Sequence, residues 1–173
     1  MKKVLITGGF GKIAKHFIQN FEHKYEITVA DIVTNSEFFT DKVRIEKANL
    51  MDFSVCSKLC EGIDTVIHLA GIVEPISESD EILETNIKTT QNIFKAAVKA
   101  KCKRLIFASS AQTIESYPTD IQVNKNMLVK PKNIYGEAKL TGERMVKLFA
   151  KRDGLNYNII RPSGVYGPGD MPD

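Results

Sequence analysis

The stretch KKVLITGGFGKIAKHFIQNF, residues 2–21, decides the fold. A short apolar run, KVLIT (3–7), passes through Gly8, Gly9, Phe10 and Gly11 into a helix-like segment at about 11–22. A strand that turns sharply into a helix aims the helix's first N–H groups outward, and a phosphate suits them. Small residues at Gly8 and Gly11 let backbone approach a pyrophosphate. Ala14, where a third glycine often stands, still lets the helix pack against the sheet. Asp31 closes the second apolar run about 20 residues on, where a carboxylate can accept hydrogen bonds from an adenosine ribose. Together these features predict a dinucleotide site. Asp31 would repel a 2′-phosphate, and no basic residue follows in DIVTNSEFFTD (31–41) before Lys42, so NAD is expected rather than NADP.

Outward from that turn, two kinds of segment alternate. Strand-like runs lie at 3–7, 25–31, 43–48, 64–70, 104–109 and 157–161. Helix-like stretches lie at about 11–22, 53–61, 80–100 and 135–152, with Ser79 as N-cap of the third. The link at 32–42 is too short for a full helix. Apolar strands alternating with helices imply a parallel sheet wrapped on both faces, an α/β doubly wound fold. The long irregular connection at 110–132 starts where ligands sit in such folds, at the carboxyl ends of the strands.

The chain has 173 residues, 43% hydrophobic and 26% charged, which suits a single globular domain spanning 1–173. A net charge of +3 gives no nucleic-acid signature, and Lys95, Lys99, Lys101 and Lys103 read as solvated faces. No run has the length of a membrane span, and no secretory signal follows Met1. Three cysteines, an odd number, fit a reducing compartment, so a cytoplasmic location is expected. Cys56 and Cys60 lack the partners of a metal set and read as packing residues; no metal is expected.

The segment NIYGEAKLTGE (133–143) places Tyr135 and Lys139 on one helix face. A phenol with a pKa of about 10 is a poor base at neutral pH, and a neighbouring ammonium together with a nicotinamide charge would favour its anion. The spacing is common on solvated helix faces, so position singles the pair out. It opens the helix after the fifth strand, which ends in FASSAQT (107–113). There Ser110 can hold a substrate oxygen whose proton Tyr135 exchanges. His68, on a strand, reads as a packed histidine.

The chain resembles the amino-terminal Rossmann part of the extended short-chain dehydrogenases/reductases, the NAD-dependent epimerase/dehydratase family. The matches run in family order: TGGFGKIA (7–14), Asp31, NLMD (49–52), HLAG (68–71), NIKTTQN (86–92), FASS (107–110), Tyr135 to Lys139, and RPSGVYGPG (161–169). The resemblance implies a sheet of strand order 3-2-1-4-5-6, with most of a carboxyl-terminal substrate domain absent. It implies that Gly8, Phe10, Gly11, Lys12 and Ile13 surround the pyrophosphate, Asp31 and Ile32 meet the ribose, and Asn49 and Leu50 meet the adenine. Leu69, Ala70 and Gly71 would line the cofactor with Asn86 nearby, and Pro162 would approach the nicotinamide. Ser110, Tyr135 and Lys139 would form the catalytic set for hydride transfer, with Tyr135 and Lys139 also touching the cofactor. Where the chain dimerises, relatives suggest contact through the helices at 80–100 and 135–152.

Several positions depart from the family pattern. Thr113-Ile114-Glu115 stands where a valine-tyrosine-glycine turn is usual, and Gly164 replaces an asparagine common in nucleotide-sugar enzymes. The segments around HLAG and FASS look more like uronate dehydrogenases, yet Ala111 and Gln112 replace the asparagine and histidine that hold their substrate. A sugar and a sugar nucleotide both stay open as substrate. So do two roles: an oxidoreductase, epimerase or dehydratase, or a shortened NAD-binding module without turnover.

Overall fold

Every second residue of the central strands is aliphatic or aromatic on one side and again on the other, so both faces must be covered. The computed structural model describes residues 1–73, 80–124 and 126–167. Its elements are β1 (Lys2–Thr7), α1 (Lys12–Phe21), β2 (Tyr25–Asp31), β3 (Arg44–Lys47), α2 (Phe53–Leu59), β4 (Thr65–His68), α3 (Asp80–Lys99), β5 (Arg104–Ala108), α4 (Ile134–Asp153) and β6 (Asn156–Ile160). All neighbouring strands pair in parallel, in the order β3-β2-β1-β4-β5-β6, which is the order the family resemblance implies.

The register sorts the side chains. Leu5, Val66, Leu105 and Phe107 face α2, α3 and α4 in one core, with Phe94, Val146 and Phe149 from the helices. Val4, Ile6, Ile27 and Val29 face α1, meeting Ala14 and Ile18. Phe94 and Phe107 meet edge to face with centroids 5.4 Å apart, a favoured aromatic geometry. Cys56, Cys60 and Cys102 are buried in the first core as free thiols, and burial pushes the Cys56 thiol up to about 12.

The helix ends follow from local chemistry. Asp52 caps α2 by accepting from Ser54 N at 2.7 Å, and Asn133 caps α4 by accepting from Gly136 N at 2.7 Å. Gly154, at φ 72°, ends α4 with its N–H on Ala150 O. The expected Ser79 cap lies outside the described residues. The link at 32–42 holds a 3₁₀ turn at Ser36–Phe38. β4 is shorter than the expected 64–70: Leu69 N still reaches Thr7 O at 3.1 Å, and the chain then bends over Gly8. The connection at 110–132 carries a 3₁₀ turn, Ala111–Ile114, and is folded back on itself by Lys130 N to Thr113 O (2.8 Å) and Ser116 N to Lys130 O (3.0 Å).

α4 lies close on β5 because Gly142 has no side chain. A Cβ there would come 2.5 Å from Phe107 Cζ. Gly142→Ala is therefore expected to destabilise the protein by about 1–3 kcal/mol through overpacking, despite alanine's better helix propensity, as measured by urea unfolding.

Candidate cofactor and proton-transfer site

Parallel strands end together, so their carboxyl ends form one rim, and the strand order reverses between β1 and β4. There Gly8 sits at φ 69°, and a Cβ on it would lie 2.6 Å from Ala70 N. Only glycine fits this approach. Gly8 N donates to Ala30 O and Gly11 N to Gly8 O, which fixes the turn. Gly11 caps α1 without a side-chain bond, so the helix opens toward the rim with Lys12 and Ile13 exposed.

Asp31 ends β2 beside this turn. Its Oδ2 accepts from Phe10 N at 3.2 Å, and its Oδ1 accepts from Ile32 N at 2.8 Å. The carboxylate thus ties the glycine turn to the next strand while staying half-exposed. Asn49 is exposed beyond β3, its Oδ1 accepting from Met51 N. Leu50, expected with Asn49 at the adenine, turns its side chain inward. That side chain is 5% exposed and lies in the core, and its carbonyl accepts from Asn92 Nδ2 at 2.9 Å. Apolar burial outweighs surface placement here, and Met51, 37% exposed, is the outward neighbour.

At the ends of β4 and β5 a second group gathers. Asn86, buried on α3, accepts from Ile72 N at 2.8 Å and donates to Ile72 O at 3.1 Å, pinning the chain as it leaves β4. A Cβ on Gly71 would come 3.2 Å from Asn86 Oδ1 and 3.4 Å from Lys139 Nζ, so the bare glycine keeps the ammonium beside this segment. Lys139 Nζ donates to Ala108 O at 2.9 Å and lies 5.5 Å from the Tyr135 ring centre. Ser110, half-buried, accepts from Gln112 N at 3.1 Å, which leaves its own O–H to donate elsewhere. Gln112 Oε1 in turn accepts from Asn133 Nδ2 at 2.8 Å, joining the serine loop to the start of α4. Pro162 and Ile13 line one apolar hollow of about 160 Å³ with Ile67, Leu69, Ile106 and Ala108.

Burial governs charge at the site. Burial pushes the Tyr135 phenol up, and burial lowers the Lys139 ammonium to about 8. The physical reason is desolvation: both groups lose water, and Lys139 spends a hydrogen bond on Ala108.

Two features have only weak sequence signals. His68 is fully buried between Thr7 Oγ1, hydrogen-bonded to Nδ1 at 2.7 Å, and Thr90 Oγ1, hydrogen-bonded to Nε2 at 3.1 Å. Its ring stacks on Phe107, with centroids 5.9 Å apart, so it is a packed histidine as expected. Glu143, 1% exposed, accepts from Ser109 Oγ at 2.6 Å and from Arg161 Nε and Nη2 at 2.6 and 2.7 Å. Burial pushes its carboxyl up, but the bonds from Arg161 and Ser109 and the charges of Arg161 and Lys147 hold it below the usual carboxylate range. The repeated spacing of Tyr135, Lys139 and Glu143 was the available clue.

A reversed parallel sheet with a glycine turn at the reversal and a carboxylate closing β2 defines an α/β protein of the dinucleotide-binding class. The chain belongs to the NAD dependent epimerase/dehydratase family, whose profile matches residues 4–173. It is similar to the uronate dehydrogenase of Pseudomonas syringae pv. tomato, 30% identical over 163 residues covering 92% of this chain and 58% of that one. It is also similar to the GDP-mannose 3,5-epimerase of Arabidopsis thaliana, 28% identical over 96% of this chain and 48% of that one. Among solved structures, UDP-glucose 4-epimerase from Thermotoga maritima with UDP-glucose superposes with a TM-score of 0.85 at 26% identity, covering 95% of this chain and 56% of that chain. A point mutant of uronate dehydrogenase from Agrobacterium tumefaciens, complexed with NAD, superposes with a TM-score of 0.81 at 25% identity, covering 91% of this chain and 59% of that chain. The chain thus spans roughly half to three-fifths of the length of these relatives. Among the described residues, no helix is long and apolar enough to cross a membrane.

His68 makes stability depend on acid. Burial lowers its pKa from 6.5 to about 3, so the folded state binds fewer protons than the unfolded one between those values. Its contribution is complete above pH 6.5 and falls as acid charges the unfolded chain, with the buried Lys139 ammonium adding repulsion. By pH 5 this amounts to about 2 kcal/mol lost. His68→Gln, although less stable at neutral pH, is expected to lose about that much less between pH 7 and pH 5 in urea unfolding.

Proposed function

We propose that residues 1–173 form one NAD-binding unit whose Ser110, Tyr135 and Lys139 serve hydride transfer at a carbon of a sugar or sugar nucleotide. The observation that carries this is the meeting, on one strand rim, of the Gly8–Asp31 cradle with Lys139, Asn86 and Gly71. The family is NAD dependent, and relatives named above act on a uronate or on nucleotide sugars by name. The Gly8 cradle, closed to any Cβ, suits the backbone approach that a pyrophosphate requires.

When bound, NAD supplies the hydride acceptor. Gly8, Phe10, Gly11, Lys12 and Ile13 would hold its pyrophosphate; Asp31 and Ile32 its ribose; Asn49 and Leu50 its adenine. Leu69, Ala70, Gly71, Asn86 and Pro162 would line the nicotinamide half. Ser110 donates to the substrate oxygen, and Tyr135 exchanges that oxygen's proton. Because burial raises the Tyr135 phenol, it stays protonated until positive charge arrives beside it. Lys139, held by Ala108 O, is placed to hydrogen-bond a ribose and supply part of that charge. The reading includes a cytoplasmic location, which the three free, buried cysteines support. It includes no nucleic-acid partner, in line with a net charge of +3.

A second reading is an NAD-binding module without turnover. The Tyr135 phenol, raised by burial and so a poorer base than a free one, favours it. Two measurements separate the readings. Uronates and UDP-hexoses are offered with NAD while absorbance at the reduced cofactor's band and product spectra by NMR are followed. Turnover that falls by about 10²-fold or more in Tyr135→Phe, with NAD affinity kept, is the result expected of the enzyme. NAD binding without turnover on any of these substrates is the outcome expected of the module.

Cofactor choice is tested separately. Asp31→Ala is expected to narrow the preference for NAD over NADP by about tenfold, because it removes both the ribose acceptor and the repulsion of a 2′-phosphate. An unchanged ratio by calorimetry would place the ribose elsewhere.

A further inference from the structure

Tyr135, Lys139 and Glu143 follow one another at single-turn spacing along the buried face of α4. The first two serve the site proposed above; the third reaches between strand ends. Glu143 takes one hydrogen bond from Ser109 and two from Arg161, in a bidentate pair. Each partner adjoins a residue of the nicotinamide half: Ser109 precedes Ser110, and Arg161 precedes Pro162. Backbone bonds close the same joint, with Ser109 N on Ile160 O and Ala111 N on Pro162 O, both at 2.8 Å. One carboxylate therefore joins α4 to the ends of β5 and β6.

Stability alone does not account for such a group. A buried ion pair is often matched by apolar residues of the same size, whereas a bidentate guanidinium–carboxylate pair fixes direction. The adenosine half, at the ends of β1 and β2, is held by other bonds, among them Phe10 N to Asp31. The two halves of the rim are thus braced independently.

We propose that Glu143 is a positioning residue: by gripping Ser109 and Arg161 it sets Ser110, Lys139 and Pro162 in register for the nicotinamide half of the cofactor. This rests on the NAD reading above. Misplacement of such a constellation by about 1 Å is enough to cost a large factor in productive geometry.

The test is calorimetry on the full chain with NAD and, separately, with ADP, which reports the adenosine half alone. Glu143→Gln keeps the side chain's size and loses its charge. It is expected to weaken NAD about tenfold and to leave ADP within about twofold. Ser109→Ala removes a single donor and keeps the question answerable where Glu143→Gln fails to fold; it is expected to shift NAD about threefold in the same direction, again without ADP. NAD affinity unchanged in both variants overturns the proposal. NAD and ADP weakening together also overturns it, because Glu143 would then hold the fold as a whole. An unmutated chain that binds no NAD sinks the cofactor reading itself and this inference with it, and that result is visible before any substitution is made.

Discussion

The contact between Gly8 and the backbone of Leu69 and Ala70 is the constraint around which the site is arranged. It is a backbone-to-backbone approach at the point where strand order reverses, and it exists because no Cβ stands between the two chains. The approach aims the start of α1 across the rim and carries Gly71 toward Lys139. Beneath it, His68 is hydrogen-bonded to Thr7, the residue before Gly8, and to Thr90 of α3. A neutral, fully satisfied histidine can occupy a core position where a charged one would not, and its stacking on Phe107 adds packing to the bond. The glycine turn and the first core are therefore one mechanical unit.

Charge at the rim is held at a cost. A lysine lowered to about 8 carries, at neutral pH, an ammonium whose burial costs on the order of 3 kcal/mol. Ala108 O offsets part of that, and Tyr135 contributes its ring at 5.5 Å. Nothing in packing calls for an ammonium there, since Phe107 and the α4 face would accept an aliphatic chain. Strain of this kind gathers at functional positions. Tyr135 is raised for the same reason: burial strips water from the phenol and disfavours its anion.

Much of this arrangement was legible in the sequence. Strand and helix periods gave the order of elements, a local property written in consecutive residues, whereas the strand order of the sheet came only through the family resemblance. Tyr135, Lys139 and Ser110 were singled out because their spacing and position coincide with strand and helix ends. The inward turn of the Leu50 side chain was not legible, because which side of a loop faces inward depends on α3, whose Asn92 takes the Leu50 carbonyl from 42 residues away. Glu143 was missed for a similar reason. On a lysine-rich helix a glutamate reads as solvent-facing, and only the fold brings Ser109 and Arg161 to it.

The two faces of the sheet are finished differently, and that bears on the chemistry. The face toward α2, α3 and α4 is filled by Phe94, Phe107 and Phe149. On the other face α1 covers β1 and β2, while Ile67, Ile106 and Ile160 line the apolar hollow that runs up to Ile13 and Pro162. Ile160 is 53% exposed and Ile13 39%, although both belong to an apolar wall. Hydride transfer gains from exclusion of water around the reacting carbon, which strengthens every hydrogen bond made there. The apolar wall of Ile67, Ile106 and Ile160 thus reaches solvent at Ile160 and Ile13. Gly8 and Asp31 are fixed at the ends of β1 and β2, whereas Lys139 and Glu143 depend on how α4 seats on β5 and β6, so the two halves of the rim rest on separate contacts.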